Sequence, residues 1–186
     1  MKKLKLAVLL CLGYTLSKSQ NSVPTNKNSS RISTSYVYAE REPGYMVSNE
    51  VQFHVFKRFY ITPQIFYAKQ SYSLDNKSAN TFTTGAALRL DYAITQTAKW
   101  KIEIGAGYAI RRREETWVLD FEPGTFVSEN DVFFRKRIYG ANCPIANLNI
   151  ERNINTRLGL GLKTEWQAGG RLKSFISQGV YLKLGF

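Results

Sequence analysis

The chain has 186 residues, 22% of them charged and 13% aromatic, with 26 Lys and Arg against 14 Asp and Glu. That length allows one domain plus an N-terminal extension. Mean hydropathy is −0.29, and the longest apolar run, Leu6 to Leu12, is far below the roughly 18 residues a membrane helix needs. A helical span is excluded. A barrel is not, because it hides its apolar residues at every second position.

The chain opens with a basic stretch, Met1-Lys2-Lys3-Leu4-Lys5, then an apolar core from Leu6 to Gly13, then the small residues of Ser17-Lys18-Ser19. These are the three parts of a secretory signal peptide, cut near Ser19-Gln20. The alternative is a mobile cytosolic N-terminus. Lipid attachment at Cys11 is opposed by the bulky Leu10 before it. Removing residues 1–19 takes Lys2, Lys3, Lys5 and Lys18 and no acid, so the formal charge falls from +12 to +8. Cys143 is then the only cysteine, and no intrachain disulfide can form. Export argues against nucleic acid as the partner of this basic chain, and favours anionic lipid headgroups or cell-surface polyanions.

Residues 20–30 are rich in Ser, Asn and Lys and read as a flexible lead-in. Strand-like runs then fill residues 31–186. In Arg31–Glu40, the residues Ile32, Thr34, Tyr36 and Tyr38 share one parity, and Glu40–Gly44 breaks the run with a turn signal. Asn49–Arg58 sets Val51, Phe53 and Val55 against Glu50, Gln52 and His54. Lys57–Thr62 is a tight connection, Pro63–Tyr72 has mixed parity and no assigned orientation, and Ser73–Asn80 is a polar loop.

The middle of the chain alternates most clearly. Phe82, Thr84, Ala86, Leu88, Leu90, Tyr92 and Ile94 oppose Thr83, Gly85, Ala87, Arg89, Asp91 and Ala93. Trp100, Ile102, Ile104, Ala106, Tyr108 and Ile110 oppose Lys101, Glu103, Gly105, Gly107, Ala109 and Arg111. Leu158, Leu160, Leu162, Thr164 and Trp166 oppose Arg157, Gly159, Gly161, Lys163 and Glu165. The last run, Phe175–Phe186, sets Ile176, Val180, Leu182, Leu184 and Phe186 against Ser177, Gly179, Tyr181, Lys183 and Gly185.

One face is continuously apolar; the other mixes glycine with both signs of charge. A lipocalin-like barrel would turn its apolar side inward, leaving these charges outside. The opposite arrangement puts Arg89, Asp91, Lys101, Glu103, Arg157, Lys163, Glu165 and Lys183 into a narrow lumen, where buried charges must pair. Glycines there make room for long side chains to cross, and the apolar face meets lipid. A two-sheet sandwich, with its apolar faces packed together, is the competing architecture. Connection lengths separate the two. Short links at Lys57–Thr62, Thr95–Lys99 and Arg152–Thr156 alternate with longer or more polar ones at Glu40–Ser48, Ser73–Asn80, Arg112–Phe134 and Gln167–Lys173. The expected fold is all-β: an eight-stranded antiparallel transmembrane β-barrel with short periplasmic turns, one long protruding hairpin, and both termini on the periplasmic side.

The signal peptide, the eight alternating runs, the unequal loops and the ending Gly179-Val180-Tyr181-Leu182-Lys183-Leu184-Gly185-Phe186 together resemble the small outer-membrane barrels of the OmpA/OmpX type. The resemblance covers nearly all the mature chain and is one of pattern, except at the C-terminus. There Val180, Leu182, Leu184 and Phe186 look like the signal read by the barrel-assembly machinery. The resemblance implies a location in the bacterial outer membrane, with outer-membrane lipid and lipopolysaccharide as surroundings. No peptidoglycan-binding domain follows, so an OmpA-like cell-wall anchor is not implied.

Arg111-Arg112-Arg113-Glu114-Glu115 continues the alternation past what a membrane requires, and Glu122-Pro123-Gly124-Thr125 fits a turn. The expected long hairpin, centred between Pro123 and Gly124, sets Arg111 opposite Lys136 and Arg112 opposite Arg135. Like charges directly opposite are destabilising, so either the register shifts toward Glu114 and Glu115 or an anion sits there. Arg111, Arg112, Arg113, Arg135, Lys136 and Arg137 are therefore candidate contacts for lipopolysaccharide phosphates, against a solvated hairpin with local Arg–Glu pairs. Trp117, Leu119, Phe121 and Phe126 offer the same hairpin to a surface protein partner. Pro144 interrupts a strand-like run in which Tyr139 and Ala141 read as outward before it and Ala146, Leu148 and Ile150 after it, which predicts a bulge at Cys143-Pro144. Cys143 reads as a packed thiol.

Chemistry is sparse. His54 is the single histidine and reads as a lumen hydrogen-bonder. A lipid A deacylase-type barrel uses a Ser two residues after its His, and position 56 is Phe. No Ser/His/acid set, zinc cluster or cofactor motif is spaced convincingly, so no catalytic or metal residue is assigned. Gly159–Thr164 lacks the glycine before lysine of a phosphate loop. The expected function is a non-enzymatic barrel that supports envelope integrity or surface interaction through its loops. The alternatives are a narrow channel for ions or small solutes and a lipid A-modifying enzyme.

Overall fold

In a computed structural model, residues 28–39, 42–74, 77–118, 134–169 and 174–186 are described. The predicted signal peptide and the Pro123-Gly124 turn lie outside them. The strands are β1 (Asn28–Ala39), β2 (Glu42–Phe56), β3 (Phe59–Leu74), β4 (Lys77–Gln96), β5 (Trp100–Val118), β6 (Phe134–Asn153), β7 (Leu158–Gln167) and β8 (Phe175–Gly185). Each pairs antiparallel with its sequence neighbour, and β1 pairs with β8, closing the barrel in the order β1 to β8. Closure removes every free edge, as a sheet in lipid requires.

The alternation decides which face is which. Ile32, Leu88, Leu90, Ile104, Leu160, Leu162, Val180 and Leu182 are exposed on the outer wall. Arg31, Arg89, Asp91, Glu103, Glu151, Lys163 and Glu165 are buried inside. An outer wall this apolar is stable only against lipid. Outward aromatic rings mark the two rims, among them Tyr36, Tyr38 and Tyr45 at one and Phe56 and Trp100 at the other.

The turn rim carries three tight connections: Lys57–Arg58, Thr97–Lys99 and Ile154–Arg157. Lys57 has φ +48°, the left-handed turn conformation. Both ends of the described barrel meet here: Phe186 N–H donates to Asn28 O at 3.2 Å and Gly185 N–H to Arg157 O at 2.6 Å.

Several expectations need correction. β1 begins at Asn28, inside the predicted lead-in. The links predicted at Glu40–Ser48 and Ser73–Asn80 are mostly strand, because Ala39 pairs with Glu42 and Leu74 with Lys77. Above the lipid both faces of a strand can be polar, so polarity there does not signal a loop. Pro43 fits because the β2–β3 ladder begins only at Gly44, leaving the side of β2 toward β3 without a ladder bond to lose.

The bulge predicted at Cys143-Pro144 is absent. The β5–β6 register runs unbroken from Trp100↔Arg152 to Val118↔Phe134. Pro144 O accepts from Ala168 N–H at 3.0 Å, so Pro144 turns its missing N–H toward β7, just past the last β6–β7 pair, Ile145↔Gln167. Parity therefore never flips, and Tyr139 and Ala141 face inward rather than outward. β3, left unoriented from sequence, points Gln64, Phe66, Ala68 and Gln70 inward and Ile65 and Tyr67 outward.

Candidate functional site: a charge-filled lumen

The inward side chains form two ion-pair clusters at successive heights. Near the turn rim, Arg31 Nη2 lies 2.5 Å from Glu103 and 2.9 Å from Glu151. Lys101 pairs with Glu103 at 2.5 Å, and Lys183 with Glu151 at 2.6 Å. Gln52 bridges the group, donating to Glu103 at 2.9 Å and accepting from Lys101 at 2.9 Å. Two rings complete it: Lys101 Nζ sits 3.7 Å from the Tyr60 ring centroid, and the Arg31 guanidinium 5.1 Å from that of Tyr181.

The next cluster centres on Arg89. Its guanidinium reaches Glu50 at 2.8 Å, Glu165 at 3.1 Å and Asp91 at 3.4 Å, and donates to Gln64 Oε1 at 2.6 Å. Lys163 pairs with Glu50 and, at 2.7 Å, with Glu165. Thr62 donates to Asp91 at 2.7 Å. The two clusters hold five cations (Arg31, Arg89, Lys101, Lys163, Lys183) and five carboxylates (Glu50, Asp91, Glu103, Glu151, Glu165), all buried. That one-to-one match is what charges withdrawn from water require.

Above the charges lies an apolar layer of Val37, Ala39, Met46, Phe66, Ala68, Ala87, Ala109, Cys143, Ile145 and Phe175. Phe66 and Phe175 meet edge to face with ring centroids 6.4 Å apart. Cys143 is a packed thiol, completely buried, with Sγ 3.6 Å from Ala109 O. Arg111 caps the layer, its guanidinium 4.9 Å from the Phe175 ring centroid and donating to Ala168 O at 3.0 Å. Glycine makes the crossing of long side chains feasible. A Cβ at Gly161 would overlap the Tyr181 ring, and one at Gly85 the Phe66 ring.

Of the predicted lumen charges, Arg89, Asp91, Lys101, Glu103, Lys163, Glu165 and Lys183 take their places. Arg157 does not. It belongs to the Ile154–Arg157 turn and is exposed, because β6 and β7 end before reaching it. Arg31, Glu50 and Glu151 were missed. All three lay on the inward parity already visible in sequence, Glu151 through the outward reading of Ala146, Leu148 and Ile150. His54 is half-buried near the turn rim, where Nε2 donates to Lys57 O at 2.8 Å and the ring meets Tyr60 edge-on. It braces a turn.

The hairpin register also differs from prediction. Arg112 pairs with Gly140, Glu114 with Ile138 and Glu115 with Arg137. The shift avoids opposed like charges and brings the acids into play. On the outer wall Glu114 lies 3.2 Å from Arg112 and 2.8 Å from Lys136. The Lys136 hydrogen bond is the main influence holding its carboxyl below the usual range, with the positive charges of Lys136 and Arg112 adding to it. On the inner side Arg113 pairs with Glu115 at 2.8 Å. The six predicted anion contacts are thus divided: Arg112 and Lys136 face out, Arg111, Arg113 and Arg137 lie on the inward parity, and the pairing of Arg135 with Trp117 fixes only its backbone. Beside Arg112 a shallow groove of about 680 Å³ runs over the small residues Thr84, Ala86, Gly140 and Asn142. Val180, Leu182, Leu184 and Phe186 line one outward stripe at the end of the barrel wall.

No protein-family model matches the chain, and no curated protein sequence does. Solved structures do. Neisserial surface protein A superposes with a TM-score of 0.54 at 10% identity, covering 86% of this chain and 96% of that one. The N-terminal β-barrel domain of Pseudomonas aeruginosa OprF gives 0.52 at 8% identity, over 85% and 98%. Ail, the attachment invasion locus protein of Yersinia pestis, gives 0.51 at 7% identity, over 84% and 97%. With identity this low the likeness is one of fold, and the chain has the fold of the small eight-stranded outer-membrane β-barrels of the OmpA/OmpX type.

Proposed function

We propose that the chain is a non-enzymatic barrel of the bacterial outer membrane, its lumen sealed, that contributes to envelope integrity and presents its β5–β6 hairpin at the cell surface. The observation that carries this reading is the lumen filling. Five buried cations matched by five carboxylates, under a layer of Met46, Phe66, Ile145 and Phe175, support a lumen closed by its own side chains. An eight-stranded barrel has just the width that side chains can fill. Catalysis has little to support it, since His54 is spent on the Lys57 carbonyl. Planar-bilayer recordings are expected to show no steady unitary openings. Reproducible conductance steps from the purified barrel would favour the narrow-channel alternative, and altered lipid A masses in a deletion strain would favour the enzyme.

Outer-leaflet lipopolysaccharide is the proposed surface ligand. Arg112 and Lys136 share the single carboxylate of Glu114, which leaves one cation uncompensated beside the small-residue groove, at the height where lipid phosphates lie. Replacing Arg112 and Lys136 with Gln is expected to weaken lipopolysaccharide binding on the order of fivefold or more, at about 1 kcal/mol per cation near an anionic surface. Glu114→Gln is expected to strengthen it, and Arg113→Gln, directed inward, to leave it unchanged. Equal losses from Arg112→Gln and Arg113→Gln would sink the assignment.

A further inference from the structure

The side chains of the turn rim are charged in one sense. Its connections carry Lys57, Arg58, Lys99 and Arg157, and Arg152 stands at the adjoining end of β6; none of the three turns contains an Asp or Glu. The acids nearest in sequence, Glu103 and Glu151, point inward and are consumed by Arg31, Lys101 and Lys183. Arg58 is tied down by donating to Ile94 O at 3.0 Å. The other four face outward from the wall or into solvent.

Two of them are positioned on aromatic rings. Lys57 Nζ sits 4.9 Å from the ring centroid of Phe56, and the Arg152 guanidinium 5.7 Å from that of Trp100. Phe56 and Trp100 are outward rings, 57% and 47% exposed, of the kind that settle at a membrane boundary. A cation resting on such a ring is held at headgroup height, on the lipid side of the wall. Trp100 also pairs with Arg152 in the ladder, and Asn153 N–H donates to Lys99 O at 2.8 Å, so Lys99 and Arg152 are close neighbours.

Between these segments a cleft of about 620 Å³ passes over the rim, lined by Lys99, Lys101, Arg152 and Lys183 with Gln52 and Asn153 and by no carboxylate. Lys101 and Lys183 are neutralised by Glu103 and Glu151. The uncompensated charge is that of Lys99 and Arg152, and Asn153, whose Oδ1 accepts from Lys183 at 3.1 Å, adds an amide N–H suited to a hydroxyl.

We propose that the turn rim is a seat for the headgroups of anionic phospholipids in the leaflet it contacts, with Lys99 and Arg152 at the phosphate and Lys57 and Arg157 adding to the field around the rim. The lipid, rather than a soluble anion, is the occupant because Lys57 and Arg152 rest on lipid-facing rings and the cleft lining includes the outward residues Arg152 and Leu160. Phosphatidylglycerol fits both parts: one net negative phosphate, and a glycerol whose hydroxyls can meet the amide of Asn153. This site stands apart from the outer hairpin, at the opposite end of the barrel.

Trp100 is a built-in reporter. The full barrel carrying Trp117→Phe and Trp166→Phe, so that Trp100 alone fluoresces, is reconstituted in phosphatidylcholine vesicles. Quenching by brominated phosphatidylglycerol is compared with quenching by brominated phosphatidylcholine. Preferential quenching by the anionic lipid is expected, on the order of fivefold in relative association, shrinking as salt is raised. In the same background Lys57→Gln/Lys99→Gln/Arg152→Gln/Arg157→Gln should bring the ratio near one. Lys99→Gln/Arg157→Gln leaves both ring contacts intact and should lower the ratio part-way, which keeps the idea testable if the fourfold variant does not fold. A ratio near one in the starting protein, or an unchanged ratio in the variants, overturns the proposal.

Discussion

Arg89→Met is expected to be the most damaging single substitution in the lumen, lowering unfolding stability by about 3–5 kcal/mol, the range found when a buried ion pair loses one partner. The reason lies in what remains. Without the guanidinium, Glu50 and Glu165 share one cation, Lys163, with the Gln64 and Gln167 amides still donating to Glu165, and Asp91 keeps only the Thr62 hydroxyl. Three buried carboxylates then face one ammonium. Arg31→Met, chemically the same change, should cost clearly less. Glu103 keeps Lys101 and Gln52, and Glu151 keeps Lys183 and Tyr181, so each carboxylate retains a cation. Urea unfolding in lipid vesicles, followed by tryptophan fluorescence and by heat-modifiable gel migration, gives both numbers. Adding Glu165→Gln to Arg89→Met should recover part of the loss by removing one stranded charge. Equal midpoints for Arg89→Met and the parent would mean that the network does not hold the lumen together.

How far the lumen could be read from the sequence follows from how alternation is interrupted. Where glycine and charge share one parity against Leu, Ile and aromatics, as in β4, β5 and β7, both the strand and its inward face are plain. β3 hid its orientation because Phe66 and Ala68 belong to the apolar layer inside the barrel while Tyr67 is outward, so hydrophobicity does not separate the faces there. Pro144 misled because a proline in a strand implies a bulge only where its N–H was needed; the end of β7 at Gln167 removed that need, and this is a fact about a neighbour. Arg157 misled in the opposite way, since parity continues past the point where pairing stops. The hairpin register was legible only as a conflict. The predicted turn opposed Arg to Lys, and the five-residue-different sum of paired positions, Arg112↔Gly140 rather than Arg112↔Arg135, resolves it by matching Glu115 with Arg137. The basic turn rim was present as one or two cations in each of three separate connections. It becomes a surface only once closure sets those connections side by side.

Leu162→Arg tests the outer wall itself. Leu162 is central in β7, 59% exposed, and adjacent to Lys163, whose charge is buried and paired on the other face. One residue along the strand thus separates a position where a cation is required from one where it meets hydrocarbon. The expected cost of Leu162→Arg is about 2–4 kcal/mol, the range for a basic residue at the bilayer midplane on a barrel's lipid face. Ile138→Arg is the matched control. Its exposure, 52%, is similar, but it pairs with Glu114 beyond the apolar belt, so the same substitution there should cost at most about 1 kcal/mol and adds a cation beside an acid. Exposure alone predicts equal effects at the two sites; depth in lipid predicts a large difference. Thinner bilayers should narrow the gap, because Leu162 then lies nearer an interface through which the guanidinium can reach water. A barrel tolerating arginine equally at both positions in vesicles would have no lipid-facing belt at Leu162, and the assignment of the wall would fail.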